Sequence, residues 1–367
     1  MMKLTDREWK EFSFTDIFEI KKGFYNKKPT RTANADIPFL GATDSNNGVT
    51  NFLTLGVIEK SSKTGKLPNE PLERKLFPGN AIAVTNNGSV GHAYYQASRF
   101  TCSHDINPLY LKDHTMSKPE ALFLIPLIEQ QGKLFQYARK WRPSRMVNSK
   151  IMLPVNDQGQ PDYQFMADYE LKLLDQKQSK IRSHVKQELA NLGSYVYLDD
   201  LNAREWSAFA LPDMFETERG REKNMKSLIP GSTPLVSAKK INNGVKSFVG
   251  NPHKIISAGT ITLNNDGDGG AGLAYYQPIN FALDTHVTAL HSRKRVSPYA
   301  LQFIAGSLSK QHAVFGHGRS ISSPRAQRLK IMLPVNDQGQ PDYDYMEQYI
   351  KNKMIQKYKK YLEYLGK

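Results

Sequence analysis

Cysteine is almost missing from this chain: Cys102 stands alone among 367 residues. One thiol cannot close an internal disulfide or build a four-thiolate zinc site, so neither a disulfide scaffold nor thiol redox chemistry is expected. Long apolar runs are missing too. No stretch approaches the roughly eighteen residues that a membrane-spanning helix requires, and the opening Met1-Met2-Lys3-Leu4-Thr5-Asp6 has no apolar signal segment. The expectation is an unexported, cytoplasmic protein with no membrane partner. Acid is in short supply: 35 Asp and Glu against 50 Lys and Arg leave a net charge of +15, a field that favours a polyanionic partner. Nucleic acid comes first, ahead of a scaffold whose charge is incidental. Apolar residues at 39% and aromatics at 10% still suffice for packed interiors, and the length suits two domains with connecting helices.

The chain repeats itself. Lys150 to Tyr163 reads KIMLPVNDQGQPDY, and Lys330 to Tyr343 reads the same fourteen residues. Fainter echoes keep the same order: Arg7-Glu8-Trp9 and Arg204-Glu205-Trp206, Asn46-Asn47-Gly48 and Asn242-Asn243-Gly244, Ala93-Tyr94-Tyr95-Gln96 and Ala274-Tyr275-Tyr276-Gln277. A shared frame around diverged interiors suggests two units doing one job on different targets. The domains expected are residues 1–162 and 194–342 as two recognition domains, 163–193 as a central spacer helix and 343–367 as a second one.

Each half opens on a Trp-led stretch and continues in short strand-like segments such as Ile37 to Leu40, Ala81 to Thr85 and Thr260 to Leu263. Asn-Asn-Gly and Pro78-Gly79 punctuate them, because Asn and Gly tolerate positive φ; a curled sheet is expected. Pro119 and Pro298 suit the first turn of a helix in each half. Beyond the duplicated PDY the pattern turns helical, with Met166, Tyr169, Leu173, Ile181, Val185, Leu189 and Leu192 in one copy and Met346, Ile350, Met354, Tyr358, Tyr361 and Leu365 in the other. Asp162 and Asp342 are the expected N-caps. Each helix has one apolar stripe, and the pair is expected to bury these on each other as an antiparallel coiled coil. A helix from about Tyr163 to Leu192 would span roughly 45 Å at about 1.5 Å per residue, against about 34 to 36 Å for one turn of DNA. Two reading heads set apart this way would read two short half-sites separated by unread base pairs.

A Trp-led segment, a variable domain ending in Lys330-Ile331-Met332-Leu333-Pro334-Val335, then Gly339-Gln340-Pro341-Asp342-Tyr343 and a long helix, with the whole present twice, resembles the specificity subunits of type I restriction-modification enzymes and the related BcgI-like type IIB enzymes. The continuation Met346-Glu347-Gln348-Tyr349-Ile350-Lys351 looks closer to the BcgI-like branch. Many type I subunits carry a Pro-Pro, Glu-Gln phrase at the helix start that is absent here, which leaves the subclass open. The resemblance implies an α/β (α+β) fold with two pseudo-two-fold-related recognition domains and no catalytic centre. It implies methyltransferase or methyltransferase-nuclease subunits as partners, bringing S-adenosylmethionine and Mg2+, with no cofactor in this chain.

Motifs for other chemistry read as decoys. Asn107-Pro108-Leu109-Tyr110 is one residue from the Asn-Pro-Pro-Tyr of amino-methyltransferases, but no glycine-rich strand-to-helix turn precedes it. Gly267 to Gly272 fits GxGxxG, yet Leu273-Ala274-Tyr275-Tyr276 reads as a strand where a dinucleotide site needs a helix. Asp266 and Asp268 lack the downstream glutamate of a calcium loop. Asp162 with Glu170 and Lys172 mimics a nuclease centre, but the second copy has no Glu-x-Lys at that place. The nine histidines show no paired metal-ligand spacing. The rival reading is a self-sufficient DNA methyltransferase or nuclease that uses these domains as a substrate grip.

Basic loops with amide and aromatic neighbours are the better candidates, since Arg and Lys hold phosphates or fork onto guanine and Asn bridges the adenine edge. In the first half the DNA-binding candidates are Lys27, Lys28, Arg31, Asn46, Asn47, Asn86, Asn87, Ser89, Arg139, Lys140, Arg142 and Arg145. In the second they are Arg219, Arg221, Lys223, Lys239, Lys240, Asn264, Asn265, His317, Arg319, Ser320 and Arg325. Both halves carry basic clusters after their first glycine and again just before the duplicated phrase.

Overall fold

The computed structural model describes residues 2–30, 33–65, 70–135, 139–266, 270–315 and 319–366. The chain divides into two compact units, Met1–Lys180 and Ile181–Lys367, with the boundary inside the helix Tyr163–Leu192.

In the first unit the strand Trp9–Ser13 pairs antiparallel with Lys150–Pro154, Trp9 opposite Pro154 and Ser13 opposite Lys150. The Trp-led opening and the duplicated phrase are therefore neighbours, and everything from Phe14 to Ser149 is slung between them. Above this pair lies a four-stranded antiparallel sheet in the order Phe18–Ile20, Ile106–Leu111, Ala81–Thr85, Ala93–Gln96. A three-stranded sheet follows the order Val49–Leu53, Ile37–Leu40, Thr101–Cys102, its last pair parallel. Alternation along Ala81–Thr85 explains the layering. Ile82 and Val84 join one core with Phe123 and Leu124 of the helix Lys118–Gly132. Ala81 and Ala83 face the other way, into a core with Phe39, Leu40 and Cys102 of the smaller sheet. Both faces are covered, which is why every residue of this strand is buried.

The second unit repeats the plan. Trp206–Ala210 pairs with Lys330–Pro334, and a four-stranded sheet runs Phe215–Arg219, Val287–Ser292, Thr260–Asn264, Ala274–Gln277. The helix Pro298–Ser309 packs on one face through Phe303 and Ile304. Its smaller sheet gains a strand, in the order Val245–Val249, Pro230–Val236, Phe281–Leu283, Ile255–Ile256. At the matching place the first unit carries a short helix, Leu55–Lys60. There the buried Lys75 donates from Nζ to the carbonyls of Ile58 (3.0 Å), Glu59 (2.8 Å) and Ser61 (2.8 Å), tying up carbonyls that the helix end leaves without intrahelical partners.

The duplicated phrase folds alike in both copies because each part has a local task. Its first five residues form the strand, and Asn156 or Asn336 closes a tight turn by accepting at Oδ1 from the amides two and four residues on. Asp162 and Asp342 cap the long helices by accepting from Phe165 N (2.9 Å) and Tyr345 N (3.0 Å), and each also binds an arginine, Arg7 at 2.8 Å or Arg204 at 2.5 Å. The echo of Arg-Glu-Trp upstream is thus one half of a clasp on the helix start.

The long helices are Tyr163–Leu192 and Tyr343–Leu365. Met166, Val185, Leu192 and Met346 are buried as their spacing predicts. Ile181 (40% exposed) and Tyr361 (39%) are not, since an apolar stripe is covered only where another segment lies on it. Ile355 and Asn352 take the inward positions instead. Asn352 shows why: the extended segment after the first long helix lies along the second, Val196 N donating to Asn352 Oδ1 (3.1 Å) and Asn352 Nδ2 to Val196 O (2.6 Å). Within this unit Arg182 Nη2 also donates to Leu365 O at 2.6 Å, so partner numbers fall as chain numbers rise. No helix among the described residues is long and apolar enough to cross a membrane.

Candidate nucleic-acid interface

The first basic cluster of each unit follows a glycine that admits no side chain. A Cβ on Gly23 would lie 2.1 Å from Ser103 O, and one on Gly220 would lie 2.0 Å from Asp284 O. This close approach sets Lys27 and Lys28, or Arg221 and Lys223, beside the turn that leads into the central strand of the large sheet. Lys27, Lys28, Arg221 and Lys223 are all exposed there, while Glu222 between the last two is buried. Lys27 and Lys28 line a cleft with Lys60, Ser61 and Ser62, and the amides of Asn26 and Lys27 both donate to Lys63 O. Arg31 and His317 lie outside the described residues.

The second cluster is stitched to an asparagine. Trp141 N donates to Asn86 O (3.1 Å) and Ile321 N to Asn265 O (2.6 Å). The same asparagines donate their own amides to Asp105 O (2.8 Å) and His286 O (2.9 Å). Asn86 and Asn265 are therefore structural equivalents, and in both units these bonds draw three loops together: the asparagine turn, the turn before the central strand, and the arginine loop before the duplicated phrase.

Within the arginine loop the two units share some residues and not others. Arg145 Nη1 donates to Lys140 O (2.8 Å) and Arg325 Nη1 to Ser320 O (2.6 Å), so these arginines brace the loop they sit on. Arg139 lies over the Phe135 ring at 5.3 Å, with Arg319 at the corresponding place and exposed. Lys140 and Arg142 have serines, Ser320 and Ser322, as counterparts. They are the private cations of the first unit, Arg142 exposed and Lys140 half-buried.

The amide candidates need correction. Asn86 (4% exposed), Asn264 (0%) and Asn265 (1%) are buried. Asn86 Nδ2 donates to Asn107 Oδ1 at 2.6 Å, Asn264 Nδ2 to Lys239 O and Gly270 O at 3.2 Å, and Asn265 Oδ1 accepts from Thr288 at 2.9 Å. They shape the loops from inside and present no edge to a base. Asn47 is exposed, but its amide donates to Tyr95 O (3.0 Å) while Gln96 Nε2 donates to Asn47 O (3.0 Å). Asn243 and Gln277 repeat this lock at 2.8 and 3.0 Å. Two of the faint sequence echoes, Asn-Asn-Gly and Ala-Tyr-Tyr-Gln, are thus the two halves of one staple. Its turn holds Asn46, Asn47 and Gly48 at positive φ (51°, 52° and 78°), where a β-branched residue would be strained. Asn46 stays exposed at the tip. Asn87 and Ser89 are half-buried at the turn surface, as is Lys239 in the second unit, with Lys240 exposed beside it. Arg219 is exposed at the end of its strand.

Sequence reasoning gave the acids among these cations no part in the interface. Asp105 accepts from Asn87 Nδ2 at 2.9 Å, and Asp266 pairs with His286 Nδ1 at 2.8 Å. In the second unit Glu222, buried to 1% exposure, binds the backbone amide and Nδ1 of His253, both at 2.7 Å. Glu218 binds Lys254 and, at 3.2 Å, His291. A search for basic runs discards such residues, and only the pairing distances reveal them. The Lys254 hydrogen bond, with help from the Lys254 and His291 charges, holds the Glu218 carboxyl below its ordinary value of 4.5 against the opposing effect of burial. A depressed carboxyl stabilises the fold above its unfolded pKa and ceases to as pH falls through its folded value. Glu218→Gln should therefore flatten the acid limb of the second unit's stability below about pH 4.5, while at pH 7 to 8 the natural protein keeps whatever margin the ion pair gives it. Chemical denaturation at stepped pH checks this, and an unchanged acid limb would contradict it.

The decoys resolve structurally. Asn107 is buried in the strand Ile106–Leu111, donates from Nδ2 to Lys21 O (2.8 Å) and accepts from Asn86. A strand, Ala274–Gln277, follows Gly272, while Gly267, Asp268 and Gly269 lie outside the described residues. Asp162 is occupied by capping and by Arg7. Among the described residues no group of three His, Cys, Asp or Glu could hold a metal.

Two α/β units of one plan, each gathering basic loops around a buried asparagine at one end of its large sheet, define a two-headed nucleic-acid-binding protein. Known proteins agree. The description of a type I restriction modification DNA specificity domain matches residues 6–183 and again residues 203–364. The specificity subunit S.BcgI of a type II restriction enzyme from Heyndrickxia coagulans is 23% identical over 287 residues, 77% of this chain and 81% of that one. The crystal structure of a type I restriction-modification S subunit from M. genitalium shares the fold at a TM-score of 0.51 and 18% identity, covering 100% of this chain and 95% of that one. The chain belongs to the type I restriction-modification DNA specificity family, with two copies of its domain, and serves as a DNA-recognition specificity subunit of a restriction-modification system.

Proposed function

We propose that the chain reads a bipartite, asymmetric DNA site, one half-site per unit, and hands that address to partner methyltransferase or methyltransferase-nuclease subunits. The observation that carries this is the repeated stitch, Trp141 to Asn86 and Ile321 to Asn265, which assembles the same three loops in both units and fills them with different side chains. One frame with two sets of contents is what two different half-sites demand. Residues 1–162 and 194–342 are the reading domains, and the helical stretches 163–193 and 343–367 form an antiparallel coiled coil that spaces them and docks the partners. The bonds of Arg182 with Leu365 and of Val196 with Asn352 support the antiparallel sense.

In this reading the chain has no catalytic centre or cofactor of its own and works in the cytoplasm, while S-adenosylmethionine and Mg2+ belong to the partners. The committed side chains of Asn107 and Asp162 favour it over a self-sufficient enzyme. Selection of bound duplexes from a random pool, using the full chain with its partner subunits, should enrich two separated words at a fixed spacing. A single uninterrupted word, or no word, would reject the reading. Methylation or cleavage of DNA by the pure chain given S-adenosylmethionine and Mg2+ would favour the rival enzyme.

A further inference from the structure

The two reading heads differ most tellingly in their acids. Because Asn86 and Asn265 make the same two backbone bonds, Asn87 occupies the place of Asp266, and Asp105 the place of His286. The first head thus has an amide facing a carboxylate, Asn87 Nδ2 to Asp105 Oδ1 at 2.9 Å. The second has a carboxylate facing an imidazole, Asp266 to His286 at 2.8 Å. The carboxylate has changed loops and kept its place in the cluster.

A carboxylate is a poor neighbour for phosphate, and these two stand amid the cations expected to hold the backbone. Asp105 shares its surroundings with the loop of Lys140, Arg142 and Arg145, joined to it through Asn86. Among the described residues its side chain is met by Asn87 and, at 3.4 Å, by His104 Nε2, and not by a cation of that loop. Asp266 likewise pairs with His286. Both carboxylates reach solvent, with side chains 25% and 42% exposed. Beside Asp105, Asn87 Oδ1 is buried without a hydrogen-bond partner among the described residues, so the pair has acceptor capacity in excess of the donors available to it.

We propose that Asp105 and Asp266 are specificity-determining acceptors, each taking a hydrogen bond from the exocyclic amine of a cytosine or adenine in the major groove, one in each half-site. A base-edge donor offsets the repulsion that an acid suffers beside phosphates, and these amines are the donors available there. Asn87 and His286 orient the two carboxylates. Since the carboxylate comes from the turn before the central strand in one head and from the asparagine turn in the other, the amine it reads falls at different places in the two half-sites.

This deepens the bipartite reading and rests on it. The test is selection from random duplexes by the full chain with its partner subunits, comparing the natural protein with Asp105→Asn and Asp266→Asn. The amide keeps an acceptor for Asn87 or His286 while removing the charge. Each variant should lose about tenfold or more discrimination at one base pair of one half-site, the other half-site staying as it was. Enrichment of a split site by the natural protein, with unaltered preferences in both variants, would overturn the inference alone. So would a variant whose weakening is uniform across all sequences with an unchanged melting temperature. Failure of the natural protein to select a split site would instead overturn the bipartite reading.

Discussion

Trp141→Ala should unfold the first reading head more readily than any other single truncation in its loops, and should cost the complex one half-site while leaving the other. Trp141 is fully buried, stands edge-on to Phe14 at 5.5 Å, stacks on Phe135 at 5.3 Å and donates from Nε1 to Ser149 Oγ at 2.9 Å. Its backbone amide carries the stitch to Asn86. Emptying so large a volume costs about 3 to 5 kcal/mol in comparable cores, a large share of a domain's net stability. The arginine loop is anchored by this ring, so the damage should reach recognition. Denaturant titration should show the first unit's transition moving to lower concentration, and duplex selection should return only the second unit's word. Equal weakening of both words would mean that the heads are not independent. Ile321 stands at the same place in the second unit, and Ile321→Ala should give the mirror result with a smaller cost, about 2 to 4 kcal/mol.

The second large effect is electrostatic. Lys140 and Arg142 have no counterpart cations in the second unit, whereas Arg145 and Arg325 spend a nitrogen on their own loops. The double substitution Lys140→Ala, Arg142→Ala should therefore weaken binding to every sequence. It should also make the salt dependence shallower by about two in the log-log slope, about one for each phosphate left without its cation. Affinity near physiological salt should fall about tenfold or more. Binding isotherms at several salt concentrations measure this. An unchanged slope with a relaxed word would move these residues from holding phosphates to reading bases.

How much of this could be read in advance varied with the kind of interaction. The duplication was in plain view, and with it the two-unit plan, the strands Ile37–Leu40 and Ala81–Thr85, the proline helix starts, the aspartate caps and the long helices. Those features depend on local chemistry: periodicity, turn propensity and first-turn hydrogen bonds. Burial of polar side chains depends on which segments meet, and a linear reading cannot see that. Asn86, Asn264 and Asn265 looked like surface readers because Asn in a polar loop generally is exposed; their burial follows from neighbouring loops folding over them. Asn47 and Gln96 looked like separate echoes because the staple joining them spans two loops. Asn352 was invisible as a partner because what it binds is backbone, the carbonyl and amide of Val196. Asp105 was passed over, and Asp266 weighed only as a calcium-loop residue, because net charge, a whole-chain quantity, draws attention to cations.

The pairing of Trp9–Ser13 with Lys150–Pro154, and of Trp206–Ala210 with Lys330–Pro334, has a consequence for how such a protein can change. Each head leaves and rejoins the scaffold through two adjacent strands, like a bulb in its socket. Whatever lies beyond the socket can be lengthened, shortened or replaced wholesale, provided its two ends still arrive side by side. The extra strand Ile255–Ile256 in one head and the short helix Leu55–Lys60 in the other are two such fittings on one mount. A graft cut at these strands should move a half-site preference from one protein to another without redesigning the rest.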